Sequence, residues 1–201
     1  MLAINPTAKP RRRGRWILTL LAVLLIVGGG YVALLVFSPV IAPAITMKPI
    51  DLKALPAPAV GVNRIIIAPI GVNIPYGTNG KASLDEGAEW RYPDRGNPET
   101  GGNFIIAAHR FSIQPTPQGT IEKSPFYNID KLKVNDPIVV DYNGKRYGYK
   151  VSEISTVKPD DISIEARSDT PHMTLYTCEL GGSEAGRVVI KASPMGEVAI
   201  R

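Results

Sequence analysis

One cysteine and two histidines are all that 201 residues supply of two side chains much used in covalent and acid–base chemistry. With a single thiol, Cys178, the chain can form no internal disulfide. That leaves three fates for it: burial as a small hydrophobe, pairing between chains, or a reactive thiol. Acidic residues are missing altogether from positions 1–37, and this accounts for the formal charge of +5. Lys9, Arg11, Arg12, Arg13 and Arg15 carry the whole excess, and without them 18 basic residues face 18 acidic ones. The remainder is close to neutral, so a nucleic-acid surface is set aside. No internal repeat appears, and no low-complexity tract beyond a proline-rich stretch.

What is present divides the chain into four parts. Residues 1–15 form a basic tail. Trp16 to Phe37 is an uncharged apolar run, about long enough to cross a ~30 Å hydrocarbon core as a helix. Trp16 stands where an interfacial aromatic anchor belongs, and the positive-inside rule puts the N-terminus in the cytoplasm and everything after Phe37 outside. The alternative is a cleaved signal peptide ending near Ala42-Pro43-Ala44, but the apolar run exceeds the usual h-region of ~7–15 residues. Residues 38–60 carry Pro39, Pro43, Pro49, Pro56 and Pro58, which predicts an extended stalk and disfavours a longer helix. Residues 61–201 are the exported domain.

That domain reads as mainly β. Short strands are predicted around Asn63–Pro69, Ile70–Ile74 and Asn103–Ala108, the last ending at His109-Arg110. Ser83 to Trp90 reads as a polar stretch with one helical turn, Phe111 to Lys123 as a loop, and Pro125 to Leu132 as the start of a short helix. Asn143-Gly144 between Pro137–Tyr142 and Lys145–Ile154 is a strong hairpin signal. Lys158 to Thr170 is a loop with one helical turn. Seven or eight short strands with little helix predict a closed barrel of antiparallel character.

The chemistry gathers around Thr174-Leu175-Tyr176-Thr177-Cys178, a strand by its alternation, with the thiol at its C-terminal end. A glycine-rich loop follows, and Arg187 opens the next apolar run. His172 precedes the cysteine by six residues on the same strand, about 20 Å away at ~3.3 Å per residue, and so reads as a surface or barrel-wall residue. His109 ends a different strand and is free to meet the thiol across the barrel. Arg187 has two readings: a solvated strand-start arginine, or a guanidinium that donates to a carbonyl oxygen gaining charge.

Taken together, Thr174-Leu-x-Thr-Cys178, Arg187 within Gly186-Arg-Val-Val-Ile-Lys-Ala192 and His109-Arg110 resemble the active-site motifs of the sortases, and Ser124-Pro-Phe-Tyr through Val140 is similar to their segment between histidine and cysteine. The resemblance covers residues 62–193. It implies a closed eight-stranded β-barrel behind a membrane anchor, and a cysteine transpeptidase that cleaves an LPxTG-like sorting signal between Thr and Gly. Cys178 would be the nucleophile and His109 the acid and base. Arg187 would orient substrate or stabilise the oxyanion. Thr177 and the backbone N–H of Glu179 are the implied substrate contacts. Implied partners are signal-bearing secreted proteins and an amine from a cell-wall precursor or a pilin. No cofactor is required; calcium is bound by some relatives, but Asp160, Asp161 and Glu165 are better explained as a solvated loop. Ala108 stands where many relatives have Gly, and no plug-like lid motif precedes the barrel. Two other classes remain: an L,D-transpeptidase, whose Ser-His-Gly-Cys run Tyr176-Thr177-Cys178 lacks, and a non-catalytic membrane-tethered β-barrel with a buried Cys178.

Overall fold

The computed structural model describes residues 12–45 and 50–199. Helix α1 (Arg12–Ile45) contains a stretch, Arg15–Ile41, long and apolar enough to cross a membrane. Lys9 and Arg11 of the expected basic tail lie outside the described residues. Against expectation, α1 runs on through Ser38 and Pro39. Pro39 has no N–H to offer the Leu35 carbonyl, but the Ser38 hydroxyl donates to that carbonyl at 2.9 Å, so the acceptor is not orphaned and the helix carries its proline. Farther on, irregular chain around Pro56 lies against the barrel. Arg146 Nη2 donates to the Pro56 carbonyl at 2.8 Å, while the same buried guanidinium holds Asp141 with contacts of 2.6 and 2.8 Å.

The domain is built on β1 (Arg64–Ile67), β2 (Val72–Gly77), β3 (Ala88–Arg91), β4 (Gly96–Asn97), β5 (Gly101–Ala108), β6 (Pro137–Tyr142), β7 (Lys145–Val157), β8 (His172–Glu179) and β9 (Gly182–Glu197). Eight of them close a ring in the order β3-β2-β1-β6-β7-β9-β8-β5, with β5 pairing back to β3; the two-residue β4 hangs on β5. The expected eight-stranded barrel is therefore present. The β6–β7 hairpin turns at Asn143 (φ 51°) and Gly144 (φ 76°), two positive values in succession as a type I′ turn requires.

Period-two alternation supplies the core. Ile65 and Ile67 of β1, Phe104 and Ile106 of β5, Ile138 and Val140 of β6, and Met173 and Leu175 of β8 point inward. Edge-to-face rings of Tyr76, Trp90, Phe104 and Tyr142 fill the centre. Phe126, Ile129 and Leu132, the apolar face of the expected short helix, are buried in this core, but the segment forms turns with one 3-10 stretch at Ile129–Lys131. Two helices stand where loop or a single turn was expected. Helix α2 (Lys81–Glu86) leads into β3, and α3 (Pro117–Glu122) begins at Thr116, whose hydroxyl accepts the Gly119 N–H at 3.0 Å. Thr-Pro at those positions is an N-cap followed by an N1 proline.

The barrel is not uniformly antiparallel. β2 with β3, and β5 with β8, run parallel, because the segments between them are long enough to cross over rather than turn back. The second of these parallel pairs positions the site.

Candidate active site

Parallel pairing lays the C-terminal ends of β5 and β8 side by side. Ile105 pairs with Thr174 and Ala107 with Tyr176; two residues farther along that register, His109 stands level with Cys178. On the other side of β8, Cys178 is the register partner of Arg187 on β9. His109, Cys178 and Arg187 thus occupy one row across three neighbouring strands, and neighbouring strands lie about 4.8 Å apart. The histidine meets the thiol from the next strand and not from across the barrel. All three line one groove of about 350 Å³ on the outer face of the sheet.

Each member of the row is held by the fold. The His109 carbonyl accepts from the N–H of buried Phe126 at 3.1 Å, so the core fixes the backbone at the end of β5. Its ring Nε2 lies 3.3 Å from Asp85 Oδ1 on α2, and the Lys123 ammonium donates to the Asp85 carbonyl. Cys178 is half-buried and unpaired. Arg187 Nη1 donates to the carbonyls of Ser183 and Gly186, at 2.7 and 2.9 Å, which fastens the guanidinium to its own loop. Gly186 has φ 143°, and a Cβ there would come within 2.8 Å of the Val157 carbonyl, so glycine precedes the arginine for steric reasons. The β8–β9 turn is tighter than the eight-residue loop expected. The strands extend to Glu179 and Gly182, and a bulge after Cys178 absorbs the extra residues of β9.

Thr177 also borders the groove. It is buried, and its hydroxyl donates to the Ala108 carbonyl at 2.7 Å. Across that bond the residue before the histidine and the residue before the cysteine are tied together. Glu179 is half-buried and pairs with Gly182 across the turn. His172 sits at the opposite end of β8, level with Asn103, with its Nδ1 on the Thr170 carbonyl at 3.0 Å, as its distance along the strand predicts.

The wall of the groove is the segment 158–171, with its 3-10 turn Ile162–Glu165. Ile164 packs over a small apolar cluster on the outer face, Ile105, Ala107, Tyr176 and Val189. Asp161 caps the turn by accepting the Ser163 N–H at 3.0 Å. Bonds from the Ser163 hydroxyl and N–H hold its carboxyl below the ordinary aspartate range. Glu165 does not belong to a solvated loop: it is buried, accepts the Tyr176 hydroxyl, and faces Arg91 Nε at 2.8 Å. Burial first, and then the bond to Glu165, push the Tyr176 phenol well above its ordinary pKa, so it stays a donor. Among the described residues no three His, Cys, Asp or Glu side chains cluster as a metal site.

Sequence reasoning located Cys178, His109 and Arg187 but missed Asp85 as the histidine's neighbour, and Arg91, Glu165 and Tyr176 beneath the wall. Asp85 lay within the polar stretch Ser83 to Trp90, and nothing in the spacing linked it to His109.

The family model for the sortase domain matches residues 55–195. The chain belongs to the sortase family. The sortase is 33% identical over 99 residues to Sortase SrtE1 of Streptomyces coelicolor, an alignment that takes in 46% of this chain and 26% of that protein's length. Among solved structures, a sortase D5 transpeptidase of Clostridium perfringens is 29% identical with a TM-score of 0.54, covering 68% of this chain and 79% of the other. Sortase E1 of S. coelicolor, determined with a tripeptide in its active site, is 25% identical with a TM-score of 0.54 over 71% of this chain and 93% of the other.

Proposed function

We propose that this sortase is a membrane-anchored cysteine transpeptidase that cuts an LPxTG-like signal between Thr and Gly and passes the protein to an amine. The observation that carries the reading is the row His109–Cys178–Arg187 at the end of a parallel strand pair. The Cys178 thiolate attacks the threonine carbonyl carbon. A C–S bond forms and the carbonyl electrons move to oxygen, where a free N–H of the Arg187 guanidinium and the Glu179 N–H donate to the oxyanion. Collapse breaks the C–N bond, and the proton on His109 goes to the departing glycine amine. The acceptor amine then attacks the thioester and gives its proton to His109, and C–S cleavage regenerates the thiolate. Asp85 holds the imidazole in place at Nε2. Thr177 serves through its hydroxyl, which donates to the Ala108 carbonyl and joins the ends of β5 and β8.

In this reading helix α1 anchors the protein with the basic tail in the cytoplasm and the barrel outside, where exported proteins bearing the signal and a cell-wall or pilin amine meet it. The test uses the full-length chain in detergent micelles with fluorogenic LPxTG and LAxTG peptides, with and without an amine acceptor. Cysteine-dependent cleavage with ligation supports it; a readily alkylated Cys178 in a folded protein that leaves both peptides intact contradicts the peptide assignment. A membrane-impermeant maleimide that fails to reach Cys178 on intact cells would reverse the topology.

A further inference from the structure

Glu165 is a buried carboxylate that none of these steps uses. A carboxylate taken from water is costly unless it is paired and hydrogen-bonded, and here the partners come from every side of the wall segment. Tyr176 of β8 donates its hydroxyl to Oε1, and Arg91 of β3 lies at 2.8 Å from the same oxygen. The Glu165 carbonyl takes the Arg95 guanidinium, Arg167 grips Asp94, and Asn103 of β5 donates to the carbonyls of Ile164 and Ala166 at 3.1 and 2.8 Å. Segment 158–171 is thus stitched to β3, β5, β8 and the turn after β3. Its one buried charge, Glu165, is itself among the residues that line the groove.

The groove's width follows from this arrangement. Tyr176 is floor and Ile162 and Ile164 are wall, and the Glu165–Tyr176 contact joins the two. We infer that Glu165 is a positioning residue for substrate selection: by holding the wall at a fixed height over Tyr176, it limits which side chain the groove admits upstream of the scissile bond. The inference rests on the reading of this groove as the sorting-signal site. A rigid wall rejects a poorly fitting residue by steric exclusion, whereas a loose one yields to it. Preorganisation of this kind acts on binding, because the wall does not touch the reacting atoms.

The experiment compares the full-length wild type, Glu165→Gln, Glu165→Ala and Tyr176→Phe in detergent micelles. Hydrogen exchange is followed in segment 158–171 and in β5, and steady-state kinetics are run on two peptides that differ only by Pro or Ala at the second signal position. Glu165→Ala is expected to speed exchange in the wall by roughly tenfold while β5 is unchanged. KM is expected to rise about five- to tenfold with kcat within about twofold, and the preference between the two peptides to move toward unity. Glu165→Gln and Tyr176→Phe should follow in the same direction with smaller effects, and they decide the matter if the alanine variant does not fold. Unchanged wall exchange in folded variants overturns the inference, as does a loss confined to kcat. If the wild type cleaves neither peptide, the functional reading fails, and wall exchange alone decides whether Glu165 is the clamp.

Discussion

The inner and outer faces of the same strands teach different things. Inside the barrel, Phe104, Ile106, Met173 and Leu175 join a core that is almost wholly apolar. One position along the same strands, Ile105, Ala107 and Tyr176 belong to a four-residue outer cluster bordered by the buried Glu165 and the half-buried Arg91. The inner face gains its free energy from area removed from water, at about 25 cal/mol per Å², and tolerates no charge. The outer face buries too little apolar surface to hold a loop by itself, and relies on a network of donors and acceptors instead. The candidate site lies on the outer face: His109, Cys178 and Arg187 continue its alternation to the strand ends.

This contrast can be broken one residue at a time. Cys178→Ala should reduce turnover by more than about 10⁴-fold and leave the thermal midpoint within about 2 °C of wild type; a large fall in midpoint would return Cys178 to the structural class. Arg187→Lys should lower kcat/KM by roughly 10²–10³-fold, because a lysine cannot both bond the Ser183 and Gly186 carbonyls and reach an oxyanion. Retention of activity would reduce Arg187 to a point charge. Phe104→Ala is the inner counterpart. It should cost about 3–5 kcal/mol in denaturant unfolding while activity per folded molecule holds.

Smaller effects sharpen the comparison. Asp85→Asn should lower kcat about tenfold with KM unchanged, and Asp85→Glu should recover part of the loss; a change in KM alone would place Asp85 in substrate binding. The inner phenols respond to alkali. Burial first, and then its bond to Glu99, push the Tyr147 phenol up to about 12. A group whose folded pKa is raised contributes stability that is fully present below its unfolded value near 10 and is lost as pH rises through 12. Melting midpoints should therefore fall above pH ~10, and Tyr147→Phe should flatten that slope; an unaltered slope would assign the loss to other tyrosines.

Most of the fold was legible because alternation and turn chemistry are local. Asn143-Gly144 announced its hairpin, and the apolar runs ending at Ala108 and Cys178 announced two walls of the barrel. What stayed hidden depends on contacts distant in sequence. Nothing local says that β5 and β8 run parallel, so His109 was expected across the barrel and not on the next strand. Trp90 lies on a four-residue strand, too short for its period to show. Glu165 looked like a solvated acid because its partners, Arg91 and Tyr176, come from other strands. Pro39 suggested an end to the helix, since the rescue by Ser38 depends on a single hydroxyl bond. Thr116-Pro117 was a readable helix start that a polar, proline-containing stretch disguised.

The bond from Thr177 to the Ala108 carbonyl spans 69 residues of chain, and this separation has a consequence in time. Loop-closure entropy makes such distant pairings late events in folding. β5 is made long before β8, and the hairpin that carries both Cys178 and Arg187 comes after nearly the whole barrel has been synthesised. Until then His109 stands on an open sheet edge without thiol or guanidinium beside it. Cys178 acquires His109 as its neighbour only when the β8–β9 hairpin inserts between β5 and β7 and the ring closes. Closure of the barrel and assembly of the row His109–Cys178–Arg187 are therefore a single event, and a partly made chain has no groove at all.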